Sequence, residues 1–122
     1  MITVKKRFEF CAAHYLPNHL GACGSLHGHN FVIEVEITGP IQQEGPSAGM
    51  VMDFADLKKI VWENFIVSVD HTCLNDSWIN PTAETIVQGW AELLEKTLPI
   101  GIHLISLTLW ETSTSSVVWR SE

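Results

Sequence analysis

A thiol and two imidazoles lie close together in the stretch from Cys23 to His29. His27 and His29 are two positions apart, and in a β-strand this spacing puts both side chains on the same face. Two imidazole nitrogens on one face can converge on one metal ion, while Cys23 offers a nucleophile or a base. The stretch therefore predicts a metal site with a reactive cysteine beside it.

A third metal ligand is needed, because a catalytic zinc usually takes three protein ligands and keeps its fourth position open. His14, which ends an apolar alternation that includes Phe10 and Ala12, is the nearest candidate. A second interpretation is open, since histidines paired on a strand are often ordinary surface residues. Gly28 favours the metal site, because a strand glycine leaves room for a ligand or another backbone to approach.

Alternating hydrophobicity predicts the strands that position these histidines. A first strand over residues 2–14 carries His14 on its apolar face, and a second strand over residues 27–38 carries His27 and His29 on its apolar face. An antiparallel hairpin with a wide loop would bring the three imidazoles together at its loop end.

Two amphipathic helices are predicted in the middle of the chain. Asp53 is a suitable N-cap for the first helix, whose apolar stripe begins at Phe54. The second helix is predicted to start at Asn80, with Pro81 in its first helical position, and to stop before Pro99.

A final pair of strands is predicted at residues 103–111 and 116–120, where Glu111 ends an apolar row that begins at Ile105. Burying an unpaired carboxylate is expensive, so Glu111 either meets a cation or donor or escapes to solvent. The order ββααββ predicts an α+β fold with a four-stranded antiparallel sheet and two helices on one face. Apolar residues on both strand faces suggest association with further copies.

Composition restricts the classes of function. The chain has 122 residues, which predicts a single domain over residues 1–122, and its net charge of -7 argues against a nucleic-acid binder. No apolar run approaches the ~18 residues of a membrane span. Three cysteines, an odd count, favour a reducing compartment over a disulfide framework. We therefore expect a soluble, cytoplasmic protein with no membrane partner.

Short motifs spread over nearly the whole chain together resemble the 6-pyruvoyl-tetrahydropterin synthase superfamily. They are Phe10-x-Ala12-Ala13-His14, Cys23-x-x-x-His27-Gly28-His29-Asn30, Met52-Asp53-Phe54, Asp70-His71, Pro81-Thr82-Ala83-Glu84 and Glu111-Thr112. The cysteine-to-histidine spacing is most similar to the bacterial branch, the 6-carboxy-tetrahydropterin synthases of queuosine (7-deazapurine) biosynthesis. The resemblance implies a tunnelling fold (T-fold), in which three subunits close a β-barrel, two trimers stack as a homohexamer, and the active sites lie between subunits.

The resemblance also implies roles for individual residues. The expected zinc ligands are His14, His27 and His29, and the expected catalytic residues are Cys23, Asp70 and His71, the last two supplied by a neighbouring chain. The expected pterin contacts are Glu111 and Thr82. Without the resemblance, an Asp-His pair in a loop is simply a turn or helix-cap element.

The implied reaction converts 7,8-dihydroneopterin triphosphate to 6-carboxy-5,6,7,8-tetrahydropterin, with release of acetaldehyde and triphosphate. One alternative is 6-pyruvoyl-tetrahydropterin synthase itself, which eliminates triphosphate and retains the side chain. Another, outside the enzymes, is a zinc-binding oligomeric scaffold, but a structural zinc would normally close its fourth position and would not need Cys23. The acidic composition is in tension with a triphosphate substrate, and Lys5-Lys6-Arg7 is the first place to look for phosphate binding.

Overall fold

Two long strands, β1 (Thr3–His14) and β2 (His27–Thr38), form an antiparallel ladder in the computed structural model, which describes residues 1–122. Pairing extends from Thr3 opposite Thr38 to His14 opposite His27. The predicted hairpin is confirmed. Because side chains alternate along a strand, this ladder puts the apolar faces of both strands on the same side of the sheet.

The sheet contains five strands in the order β3-β1-β2-β4-β5, so the prediction of four is wrong. The extra strand, β3 (Thr72–Cys73), runs parallel to β1, and the other two are β4 (His103–Thr112) and β5 (Ser115–Arg120). Two residues are too few for an alternation of polar and apolar side chains, which is why the pattern did not reveal β3.

Two irregularities in β4 change which side chains face the core. The register with β2 shifts beside Glu36, and as a result Leu104 is buried while Ile105 is only partly buried. The predicted apolar row from Ile105 is therefore wrong at its first residue. A second shift, against β5, leaves Glu111 as an extra residue in β4, and such a bulge redirects the side chain that it contains.

The first helix, α1 (Phe54–Val61), continues through a π-helical turn (Trp62–Ile66) into the short α2 (Val67–Val69). Asp53 is its N-cap, as predicted, and Asp53 Oδ1 accepts a hydrogen bond from the backbone N–H of Ala55 at 2.8 Å. Phe54, however, is exposed rather than part of the buried stripe. As the first helical residue it projects toward the helix N-terminus, away from the turns that cover the sheet.

The second long helix, α3 (Ala83–Thr97), begins later than the predicted start at Asn80. Thr82 is the N-cap, and Thr82 Oγ1 accepts a hydrogen bond from the backbone N–H of Thr85 at 3.1 Å. Thr82 satisfies one of the free amides at the helix start. Pro81 therefore lies just outside the helix, where its carbonyl is free to accept a hydrogen bond from another element.

Both long helices pack on one face of the sheet, as predicted, and one cluster of 23 buried residues joins them to β1, β2 and β4. Aromatic rings lie at its centre, with Phe10 stacked on Phe31 at 4.9 Å and Phe65 on Trp90 at 4.5 Å between ring centroids. The sheet's other face has no helix over it. None of the helices is long and apolar enough to cross a membrane.

Candidate metal centre and its surroundings

Three imidazoles converge at the loop end of the β1–β2 ladder. His14 lies opposite His27, and His29 lies opposite Ala12, so the ladder places all three on adjacent positions of the helix-covered face. One ligand nitrogen from each histidine lies within 4.8 Å of the others. The predicted convergence is present in the structure, and the role of these residues as zinc ligands stays a prediction.

Backbone carbonyls orient two of these rings. His14 Nδ1 lies 2.9 Å from the carbonyl oxygen of Pro81, and His27 Nδ1 lies 2.7 Å from that of Ser25. Because a carbonyl only accepts, Nδ1 is the donor in each ring, and in the neutral form of the ring this leaves the lone pair on Nε2. Metal-binding histidines are typically held in this way. His27 Nε2 is buried and has no hydrogen-bond partner, as expected for a nitrogen directed at a metal position.

The electrostatics of the cluster favour the uncharged imidazole that metal binding requires. Burial is the main cause that lowers the pKa of His29 below its ordinary value of 6.5. The carboxylate of Glu111 opposes this shift, while His14 and His27 lower the pKa further. Three nitrogen donors without a fourth protein ligand match the donor set of an open, catalytic zinc site.

A carboxylate lies beside the histidines. Glu111 Oε1 is 3.8 Å from His14 Nε2, and the Glu111 side chain is 31% exposed. The sequence left open whether Glu111 meets a partner or escapes to solvent. In the structure the carboxylate lies beside the His14 ring and is also partly exposed to solvent. Glu111 also borders two grooves, of about 480 Å³ and about 220 Å³. The bulge in β4 thus presents an accessible carboxylate next to the metal position.

Cys23 lies in a short 3-10 turn, Ala22–Gly24, within the loop that joins β1 to β2. The thiol is half-buried and free, and the backbone N–H of Leu16 donates to the Cys23 carbonyl oxygen at 2.8 Å. The group of converging ligand atoms consists of the three histidines and does not include this sulfur. The loop fold therefore returns Cys23 to the end of β1 that carries His14.

Asp70 and His71 lie on the outer edge of β1. Asp70 Oδ1 accepts a hydrogen bond from the Cys11 N–H at 3.0 Å and lies 3.1 Å from His71 Nδ1. His71 has a φ of 62°, an unusual conformation for a non-glycine residue, and its N–H donates to the Cys11 carbonyl oxygen at 2.6 Å. β1 separates this pair from β2, a backbone offset of roughly 10 Å. His71 lines an open groove of about 560 Å³ together with His29, but neither Asp70 nor His71 belongs to the group of converging ligand atoms.

Sequence reasoning missed the backbone carbonyls that orient the histidine rings and the asparagine that binds the end of β1. The carbonyls of Ser25 and Pro81 carry no side-chain signal, because every residue has such an acceptor. Asn75 binds the backbone of Tyr15 on both its donor and acceptor sides, and nothing in its spacing marks it. The hydroxyl of Thr82 caps α3, and its pterin contact stays a prediction.

Comparisons with known proteins agree with this geometry. The family model described as 6-pyruvoyl tetrahydropterin synthase matches residues 3–122. A 6-carboxy-5,6,7,8-tetrahydropterin synthase from Synechocystis sp. is 40% identical and the match covers 99% of this chain and 95% of that protein. A dihydroneopterin monophosphate aldolase from Pyrococcus furiosus is 39% identical, with 86% of this chain and 85% of that protein covered.

A solved structure gives the same result for the fold. The 6-pyruvoyl tetrahydropterin synthase of Caenorhabditis elegans superposes with a TM-score of 0.81 at 26% identity, and 99% of this chain and 96% of that chain are covered. Because the family model spans all but the first two residues and the fold matches over its whole length, the chain belongs to the 6-pyruvoyl tetrahydropterin synthase family.

Proposed function

We propose that this protein is a zinc-dependent lyase that converts 7,8-dihydroneopterin triphosphate and one water to 6-carboxy-5,6,7,8-tetrahydropterin, with release of acetaldehyde and triphosphate, in queuosine biosynthesis. The observation that carries the proposal is the convergence of three imidazole nitrogens within 4.8 Å of one another, with no fourth protein ligand in the group. The Synechocystis relative, named for this activity, supports the choice of product.

His14, His27 and His29 would hold the zinc ion, the first two through the Nε2 atoms that their carbonyl partners leave free. When bound, zinc supplies Lewis-acid chemistry that polarises hydroxyl oxygens of the substrate side chain. The imidazoles contribute no negative charge, so the metal keeps its full positive charge toward the substrate. A purely structural site would instead close all four positions with protein ligands.

Glu111 would bind the pterin ring. The amidine-like edge of a pterin presents adjacent N–H donors, and a carboxylate can accept both in a pair of charge-assisted hydrogen bonds. Glu111 is 31% exposed and borders open grooves, so its oxygens are accessible to such an edge. Its position 3.8 Å from His14 places the ring anchor next to the zinc position.

Cys23, Asp70 and His71 would move protons. Cys23 would remove a proton from the substrate side chain, and Asp70 and His71 would return protons to it. Asp70 Oδ1 lies 3.1 Å from His71 Nδ1, and His71 Nε2 would exchange a proton with the substrate. Because β1 lies between this pair and the β2 histidines of its own chain, we propose that a neighbouring copy supplies it.

A homo-oligomer of T-fold subunits would provide that copy. Apart from the short pairing with β3 at Ala12 and Ala13, the outer edge of β1 has no partner strand, and β5 is the other edge of the sheet. Exposed edges are templates for pairing with another chain. Closing three such sheets into a barrel and stacking two trimers as a hexamer would remove both edges.

The direct test is incubation of the zinc-loaded protein with 7,8-dihydroneopterin triphosphate and identification of all products by mass spectrometry. We expect 6-carboxy-5,6,7,8-tetrahydropterin together with equal amounts of acetaldehyde and triphosphate. A product that retains a pyruvoyl side chain, without acetaldehyde, identifies a 6-pyruvoyl tetrahydropterin synthase instead. Zinc binding and assembly without any turnover support the scaffold alternative.

A second candidate function is that of a dihydroneopterin monophosphate aldolase. The Pyrococcus furiosus relative supports it, and so does the charge distribution. Of the three first candidates for phosphate contacts, Lys5 and Arg7 both pair with Glu34, at 3.6 Å and 3.1 Å, and Lys6 lies over the rings of Phe8 and Phe54. A substrate with one phosphate requires less positive charge than one with three. Measuring kcat/KM for the monophosphate and the triphosphate side by side decides between them.

A further inference from the structure

The side chain of Asn75 forms two hydrogen bonds with the backbone of Tyr15, the residue that follows His14. Asn75 Nδ2 donates to the Tyr15 carbonyl oxygen at 2.9 Å, and Asn75 Oδ1 accepts from the Tyr15 N–H at 2.9 Å. A hydrogen-bonded pair in an antiparallel ladder exchanges the same two bonds. The Asn75 amide therefore adds one rung to the pairing of β3 with β1, beyond Cys73.

This rung lies on the outer side of β1, at the end of the β1–β2 ladder that carries the histidines. The last pair of β1 and β2 joins His14 to His27, and His29 is opposite Ala12. On the β2 side, the loop that contains Cys23 holds the end of β1 through the hydrogen bond from the Leu16 N–H to the Cys23 carbonyl oxygen, and Asn75 holds it on the other side. Any opening of this strand end would move His14 away from the other two imidazoles.

Asn75 is itself anchored in the protein core. It lies in a 3-10 turn, Leu74–Asp76, whose first residue Leu74 is 1% exposed within the hydrophobic cluster. Farther along the same connection, the carbonyl of Pro81 accepts from His14 Nδ1 at 2.9 Å. One connecting segment thus holds β1 at two points, one on the His14 ring and one on the backbone that follows it.

We propose that Asn75 is a positioning residue of the metal centre, which sets the affinity for zinc by fixing the backbone that follows His14 to the connecting segment on the outer side of β1. It contacts neither the substrate nor the metal position. This inference rests on the zinc site proposed above, and it concerns how tightly that site binds rather than which reaction it supports.

The test is the zinc dissociation constant of the folded protein, measured by competition with a chromophoric chelator. We expect Asn75→Ala to weaken zinc binding about tenfold, at the lower end of the effect of removing an outer-shell partner. Asn75→Asp keeps the acceptor for the Tyr15 N–H but sets a carboxylate oxygen against the Tyr15 carbonyl oxygen, so a loss at least as large is expected. Asn64→Ala is the matched control, since Asn64 Nδ2 donates to the Ile60 carbonyl at 2.7 Å, away from the site.

The outcomes separate this inference from the proposed function. A wild-type protein that binds no zinc overturns the zinc site itself. If the wild type binds zinc and Asn75→Ala binds it equally well, Asn75 has only a role in stability and the inference is wrong. Should Asn75→Ala not fold, an unchanged dissociation constant in Asn75→Asp has the same meaning. Cobalt-substituted protein gives a second readout. Shifted visible absorption bands in Asn75→Asp would show a changed ligand geometry and support the inference, whereas unchanged bands would contradict it.

Discussion

The two ends of the β1–β2 ladder both carry partly or fully buried polar side chains, but they use them differently. Toward the N-terminal end of β1, the Glu36 carboxylate accepts hydrogen bonds from Thr3 Oγ1 at 2.9 Å and from Ser106 Oγ at 2.8 Å. At the opposite end, His27 Nε2 is buried without a partner and faces two further imidazoles.

The pKa is lowered at both ends, but this favours the charged form of a carboxylate at one end and the neutral form of an imidazole at the other. Hydrogen bonds, chiefly from Ser106, lower the pKa of Glu36 and so stabilise its charged form. Burial lowers the pKa of His29 and so stabilises its neutral form. A satisfied carboxylate holds strands together, whereas neutral rings with converging lone pairs favour an incoming cation. The contrast distinguishes a structural polar cluster from a functional one on the same two strands.

Removing one imidazole should abolish metal binding at the histidine end of the ladder, and it should have the largest effect on activity. We expect His27→Ala to lose stoichiometric zinc and to lower kcat/KM by about 10⁴-fold or more, since the metal contributes several kcal/mol to stabilising charge in the transition state. Zinc content by atomic absorption and steady-state kinetics provide the measurement. His103→Ala, at an exposed position of β4, is the control and should retain both properties. Full zinc content in His27→Ala would remove this residue from the ligand set.

Removing the thiol should separate catalysis from metal binding. We expect Cys23→Ala to lower kcat by about 10³-fold, within the range for loss of a proton-transferring group, while zinc content and oligomeric state stay unchanged. Cys73→Ala provides the matched control. Loss of zinc in Cys23→Ala would make Cys23 a metal ligand and contradict its catalytic role.

Neutralising the carboxylate next to the site should affect the substrate rather than the metal. Glu111→Gln loses charge-assisted hydrogen bonds worth about 1.5–3 kcal/mol, so KM should rise about 10- to 100-fold while zinc content is retained. Isothermal titration with a non-reacting pterin reports the same loss. Glu92→Gln, at an exposed position of α3, should have no effect. An unchanged KM in Glu111→Gln would exclude Glu111 as the ring anchor.

The smallest effect is expected at the Glu36 end, and it is an effect on stability. The folded pKa of Glu36 lies below its ordinary value of 4.5, so its contribution is fully present above pH 4.5 and is lost as pH falls through the lower folded pKa. Glu36→Gln should lower the free energy of unfolding by about 1 kcal/mol at pH 7, a modest value because the carboxylate is partly exposed.

Urea unfolding at pH 7 and at pH 3 measures this difference. The gap between wild type and Glu36→Gln should narrow at pH 3, because pH 3 lies below the ordinary pKa of 4.5 and the unfolded chain then holds a proton that the folded carboxylate must release. A gap of the same size at both values would mean that the charge of Glu36 does not contribute to stability.

The sequence by itself determined which residues share a face. Strict alternation places His14 on the apolar side of β1 and His27 and His29 on the apolar side of β2, because side chains repeat every second residue in a strand. The N-cap at Asp53 was likewise readable from local chemistry. The start of α3 was less so, since Asn80 and Thr82 are both good caps and only the folded chain shows which of them caps the helix.

Tertiary structure alone decided how these residues meet. The pairing of His14 with His27, the bulge that exposes Glu111, and the two hydrogen bonds from Asn75 to Tyr15 all join segments that are distant in the chain. Local periodicity contains no information about such contacts, because register and backbone partners depend on how separate elements pack. The sequence therefore supplied the ligands, and the fold supplied the geometry that makes them a candidate metal site.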